Sequence, residues 1–228
     1  MTELAPRVSP PASRYSLVIF DWDGTLMDST AVIAASLQSA CRDVGLPPPS
    51  DREALFVLGL GLADTFAHVA PKLDEEGRRR VADRWRHHFN AGEDRMPLYE
   101  GVREMLAELR GRGVRLAVAT GKARRGLERM LELTGLRETF EATRCADEGF
   151  TKPHPGMLLA ILEMTGVDRA HAVMVGDTTH DLDLAANAGV DALAVSYGAH
   201  DAQLLASRPA KARFSTVRDL HRWLASPG

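Results

Sequence analysis

Short apolar runs alternate with amphipathic stretches along most of this chain, and the alternation begins at Leu17-Val18-Ile19-Phe20. Four consecutive apolar, largely β-branched or aromatic residues predict a strand buried on both faces. Similar runs at Leu116–Ala119, Phe140–Thr143, Ala172–Val175 and Ala192–Val195 predict four more. Between them the spacing turns helical. Val102, Met105, Leu106 and Leu109 form one face that Gly111 and Gly113 close, Leu127, Met130 and Leu131 mark another helix, and helices are expected over 156–165 and 181–188. Strands alternating with helices of this length predict a parallel α/β sheet covered on both faces. From Ser29 to about Arg95 the pattern is helical throughout. Ile33, Leu37, Ala40, Cys41 and Val44 recur at three and four residues, as do Val81, Trp85, His88 and Phe89, with Pro47-Pro48-Pro49 and Gly59-Leu60-Gly61 as loops. So long a stretch fits poorly into a simple crossover. It reads as an inserted helical cap over 30–95, leaving 15–29 and 96–228 as the core and 1–14 as a loose tail.

Composition narrows the class without naming an activity. The 228 residues are 45% hydrophobic and 26% charged, with a formal net charge of −3, so no nucleic-acid or membrane surface is expected. Arg78-Arg79-Arg80 is preceded by Glu75 and Glu76 and followed by Asp83, as on a solvated helix face. Cys41 and Cys145 are too few for a disulfide framework or a thiolate metal site. The N-terminal residues carry prolines and charges rather than a signal-peptide core, and no run reaches the ~18 apolar residues of a membrane span. A cytoplasmic location is the expectation.

The candidate chemistry sits where strands end, the usual place for ligands in open α/β sheets. The first strand delivers Asp21 and Asp23, the second Thr120, and the fourth Gly176 and Asp177, with Asp181 one helical turn later. Lys152 precedes that last strand in Lys152-Pro153-His154-Pro155. If these four acids converge, each pair at ~4 Å repels by about 4 kcal/mol at an effective dielectric near 20. Lys152 supplies one compensating charge, and a hard divalent cation with oxygen ligands, Mg²⁺, is the natural source of the rest. Asp21 and Asp23 alternate in an extended segment, so both can face one substrate, as nucleophile and proton donor. Gly24 lets the backbone turn closely around a phosphoryl group.

Asp21-Trp22-Asp23-Gly24-Thr25-Leu26-Met27-Asp28-Ser29 resembles the first motif of the haloacid dehalogenase-like hydrolase superfamily. Thr120, Lys152 and Gly176-Asp177-x-x-x-Asp181 resemble its second, third and fourth motifs, in the same order. The cap placement is similar to that of the branch holding phosphoglycolate phosphatases and β-phosphoglucomutases. The resemblance implies a Rossmann-like three-layer core and a magnesium-dependent phosphatase acting on a small phosphorylated metabolite. It implies that Asp21 attacks phosphorus while Asp23 protonates the leaving alcohol and later deprotonates water. It also implies that the Asp21 and Asp177 carboxylates and the Asp23 carbonyl bind Mg²⁺, with Asp181 acting through water or by holding Lys152. Thr120, Gly121 and Lys152 would then bind phosphoryl oxygens. Many relatives have asparagine where this chain has Gly121.

Two rivals stand beside the phosphatase: a phosphomutase built on the same residues, and a non-catalytic phosphate-binding protein. Asp23 argues against a dehalogenase, which typically carries tyrosine there. Gly59-Leu60-Gly61 is expected to belong to a cap loop that closes over the substrate, and Trp85 and Phe89 to the cap core.

Overall fold

A computed structural model of the protein describes residues 14–93 and 96–226. Most of the expected tail, and the last residues of the expected cap, lie outside the described residues. Six parallel strands form one sheet: β1 (Leu17–Phe20), β2 (Arg115–Thr120), β3 (Ala142–Cys145), β4 (Ala172–Gly176), β5 (Asp191–Val195) and β6 (Ala212–Phe214), in the order β3-β2-β1-β4-β5-β6. The register pairs Phe20 with Val118 on one side and with Val175 on the other, so β1, β2 and β4 finish side by side. Three chemically loaded strand ends are thereby brought to one edge.

Alternation of side chains divides the core into two layers. Val18, Phe20, Val118, Val173 and Val175 face a cluster closed by α5 (Val102–Gly111), α6 (Arg124–Thr134) and α10 (Val217–Ala225). Leu17, Ile19, Ala119 and Met174 face the opposite layer, made by α7 (Gly156–Thr165), α8 (Thr179–Ala188) and α9 (Ala202–Ala206). This three-layer α/β architecture is the one the alternating pattern predicts.

Between β1 and α5 come four helices, α1 (Thr30–Asp43), α2 (Asp51–Phe56), α3 (Leu62–Val69) and α4 (Glu75–Glu93). They bury their own cluster around Leu37, Cys41, Val57, Phe66 and Val81. Ser50 and Glu53 form a capping box that starts α2 immediately after the proline run. Arg79 pairs with Glu75 and Glu76 along the exposed face of α4.

The bounds of two elements differ from expectation, and a third element was not expected at all. The third strand begins at Ala142 rather than Phe140, because a 3₁₀ turn occupies Arg137–Thr139 and Phe140 is used as a packing residue, its ring edge-on to Trp22 at 6.2 Å. The helix expected from 181 begins at Thr179, because Thr178 and Asp181 form a capping box one turn earlier. The short strand β6 escaped the periodicity altogether. It has three residues, none fully buried, in the half-exposed segment Ala212-Arg213-Phe214.

The candidate active site

Asp21 follows β1 directly, and its amide donates to the Val175 carbonyl of β4, which fixes the acid over the gap between the two strands. Asp177 follows β4, and Asp181 lies in the first turn of α8. Carboxylate oxygens of these three residues lie within 4.8 Å of one another, all buried. Lys152 Nζ stands between them, 2.7 Å from Asp21 Oδ1 and 2.6 Å from Asp181 Oδ1.

Each acid is held differently, and the difference sorts their roles. Asp181 Oδ2 accepts from the Thr178 amide and hydroxyl at 3.0 and 2.7 Å, so both of its oxygens are engaged. Asp177 Oδ1 accepts from the Thr25 hydroxyl at 2.8 Å, and Oδ2 from the Ala199 amide at 2.7 Å. Asp21 is less fully held: its Oδ1 meets the Lys152 ammonium at 2.7 Å, and its Oδ2 has no hydrogen-bond donor. A buried acceptor without a donor is costly, and one left open on a buried carboxylate marks a group placed to meet a ligand.

The Lys152 ammonium pairs with two of these three buried carboxylates. Burial pushes the Asp21 carboxyl up to about 7, opposed by Lys152 and reinforced by Asp181 and Asp23. Burial likewise raises Asp177 well above the carboxylate range, with Asp21 and Asp181 adding to it. Burial works against the Lys152 charge, but Asp181 and Asp21 outweigh it and hold the ammonium above its ordinary range. A divalent cation would relieve both the excess charge and the open Asp21 oxygen, so the residues present fit Mg²⁺.

Asp23 belongs to a different neighbourhood. Its carboxylate accepts from Ser29 Oγ at 2.8 Å and pairs with Lys122 Nζ at 3.2 Å. Of the four acids expected at a metal, its side chain is therefore the one turned away from the Asp21–Asp177–Asp181 group. Lys122 also reaches Glu93 of α4 at 3.5 Å and lies 4.5 Å from the Phe89 ring centroid. Lys122 and Glu93 were not singled out in the sequence: no motif links them, and only the folded chain brings α4 to the loop after β2.

Glycines make room for the acids. Gly24 has φ of +84°, and a Cβ there would lie 2.2 Å from Asp177 Oδ2. A Cβ at Gly121 would come within 2.5 Å of the Gly59 carbonyl oxygen and 2.8 Å of that of Leu60. The glycine that departs from the usual asparagine is thus where the cap loop Gly59-Leu60-Gly61 rests on the core. Thr120 is buried beside it, and its hydroxyl accepts from the Lys122 amide at 3.1 Å. It does not cap the following helix, whose N-cap is Ala123.

Other contacts pin cap to core. The Phe56 carbonyl accepts from His180 Nε2 at 2.8 Å and from His200 Nε2 at 3.2 Å. His200 Nδ1 accepts from the Thr179 amide, which places its proton on Nε2. Burial lowers both imidazoles. Beneath the cap a cavity of about 420 Å³ opens onto Asp21, Asp23, Thr120 and Gly121. Trp85 and Phe89 do pack into the apolar clusters, stacked at 4.8 Å, and they also line this cavity.

A parallel α/β core with a buried acid cluster at its strand ends, closed by a helical cap, defines a class of hydrolytic enzyme. Residues 18–195 match the family described as haloacid dehalogenase-like hydrolase, and the chain belongs to that family. It is 38% identical over 200 residues to "Probable phosphatase IndB" of Dickeya dadantii, covering 85% of this chain and 86% of the relative. It is 33% identical over 201 residues to the phosphoglycolate phosphatase of Agrobacterium fabrum, covering 85% of each. The solved structure of a haloacid dehalogenase-like family hydrolase from Streptococcus pneumoniae superposes with a TM-score of 0.80 at 20% identity, covering 92% of this chain and 98% of that one, a likeness of fold.

Proposed function

We propose that the protein is a magnesium-dependent phosphatase that hydrolyses a small phosphate monoester through an aspartyl-phosphate on Asp21, phosphoglycolate being one candidate substrate. The observation that carries this reading is Asp21 itself, buried and lining the cavity, with Oδ1 against the Lys152 ammonium and Oδ2 lacking a hydrogen-bond donor. A nucleophile needs a free lone pair facing the substrate, and Asp21 has one where its neighbours do not.

The residues supply the remaining steps. Asp21 forms a bond to phosphorus as the bond to the ester oxygen breaks, and Asp23 delivers a proton to the departing alkoxide. Asp23 then takes a proton from water as the water oxygen attacks the aspartyl-phosphate, releasing inorganic phosphate and restoring the Asp21 carboxylate. Thr120 and the Gly121 amide bind phosphoryl oxygens, and Lys152 offsets charge on Asp21 and the phosphoryl group. Asp181 holds Lys152 in place. Asp21, Asp177 and the Asp23 carbonyl would hold magnesium, which would supply positive charge to the phosphoryl oxygens. Cap closure keeps bulk water from the reacting group.

The supporting likenesses are relatives named as phosphatases and a matching family model over most of the chain. No helix among the described residues is long and apolar enough to cross a membrane. Two buried free cysteines fit a reducing compartment, and we place the enzyme in the cytoplasm. Asp21→Asn removes the nucleophile at almost unchanged size. Magnesium-stimulated hydrolysis of p-nitrophenyl phosphate should fall below detection in this variant. A rate close to that of the unaltered enzyme would overturn the assignment of Asp21.

A further inference from the structure

The cavity has a reacting end and a far larger remainder, and the remainder is not built for a two-carbon acid. Its volume of about 420 Å³ lies within the ~300–1,000 Å³ of sites that enclose drug-sized ligands. Its walls are mainly apolar and come from every cap helix: Leu37 of α1, Ala54 of α2, Leu62 of α3 and Trp85 of α4. The polar side chains on the cap walls besides Glu93 are Thr65, Asn90 and the exposed Arg86, and the exposed Arg125 and Arg129 of α6 also line the cavity. The buried acid Glu93 is occupied by Lys122 at 3.5 Å and by Arg129 at 3.8 Å.

We infer that the physiological substrate is a phosphate monoester of an alcohol with a bulky, predominantly apolar organic group, which the cap walls enclose while the phosphoryl group sits against Asp21. This rests on the phosphatase reading and narrows it. A sugar phosphate would press hydroxyls against Leu37, Leu62 and Trp85, whose apolar side chains offer them no partners. Phosphoglycolate would leave most of the apolar wall uncovered. A substrate that covers it gains binding energy remote from the reacting bond, which can hold the phosphoryl group in line with Asp21.

The test is a series of esters of primary alcohols, whose leaving groups are chemically alike: ethyl phosphate, phosphoglycolate, glucose 6-phosphate, hexyl phosphate and 3-phenylpropyl phosphate. Each is assayed as kcat/KM with magnesium, alongside p-nitrophenyl phosphate. Burial of each added methylene is expected to raise kcat/KM by about fourfold. Hexyl and 3-phenylpropyl phosphate should therefore exceed phosphoglycolate and glucose 6-phosphate by at least roughly tenfold. Leu62→Ser puts a hydroxyl into the half-buried wall and should flatten the rise from ethyl to hexyl phosphate, with folding checked by thermal melting. The series on the unaltered enzyme decides the question even if that variant does not fold. Phosphoglycolate or glucose 6-phosphate matching the apolar esters would overturn the inference while leaving the phosphatase intact. Failure to hydrolyse any ester, p-nitrophenyl phosphate included, would overturn both.

Discussion

Replacing Gly121 by alanine isolates the fit between cap and core from the chemistry beneath it. The backbone at this position is not left-handed, so alanine meets no conformational objection there. The amide that would bind a phosphoryl oxygen is retained. What changes is one methyl group, placed 2.5 Å from the Gly59 carbonyl oxygen and 2.8 Å from that of Leu60, about 0.9 Å short of ordinary contact at the closer atom. Both obstacles are backbone, and neither can swing aside as a side chain would. Overpacking of this kind costs ~1–3 kcal/mol. The cheapest relief is for the Gly59-Leu60-Gly61 loop to lift, which charges that cost to the closed state and not to the folded one. The ratio of closed to open enzyme should then fall about 5- to 150-fold. The assay is kcat/KM with magnesium for both proteins, paired with thermal melting. A drop in kcat/KM within that range at nearly unchanged Tm is expected. Activity within about twofold of the parent would mean that the observed seating of the loop is not the catalytic one, and the reasoning would fail.

Two further outcomes follow from the buried charges. Lys152→Gln leaves Asp21 and Asp181 facing each other without their shared ammonium, a change that costs about 3–5 kcal/mol at buried pairs. At ~2–4 °C per kcal/mol for a chain of this size, Tm should fall by roughly 6–20 °C, with turnover lost; an unchanged Tm would refute the assigned ion pairs. The raised carboxyls set a pH dependence. A group that binds its proton more tightly when folded stabilises the fold at low pH, and that contribution is lost as pH climbs from the ordinary aspartate range, near 4, to about 7 for Asp21. Asp177 shifts in the same direction. Magnesium competes for these ionised oxygens, so it should raise Tm more at about pH 8 than at about pH 5; equal shifts would contradict the assignment.

The core was legible because its strands are buried on both faces. Leu17–Phe20 and Ala172–Val175 carry no polar residue, and a run of that kind followed by aspartate has few other readings. β3 and β6 lie at the sheet edges, where half-exposed residues dilute the pattern, and their bounds or existence were lost. Among the acids, chain position indicated a gathering but not its division of labour. That Asp181 is engaged through both oxygens by Lys152 and Thr178 while Asp21 keeps one oxygen open depends on distances no spacing encodes. The Asp23–Lys122–Glu93 chain was invisible for a related reason. Its members come from the β1 loop, the β2 loop and the end of α4, and Glu93 reads in sequence as one more charge on a polar helix. Gly121 was noticed as a departure, but its cause, the cap loop resting on it, needed the tertiary contact.

The central claim is that Asp21 carries the phosphoryl group between substrate and water. Acid-quenching the enzyme during turnover of p-nitrophenyl phosphate with magnesium, reducing with tritiated borohydride and mapping the peptides tests it directly. Reduction of an aspartyl-phosphate yields homoserine, and the account predicts tritiated homoserine at position 21, absent from Asp21→Asn. Active turnover with no label at that residue, or with label on another carboxylate, would contradict it.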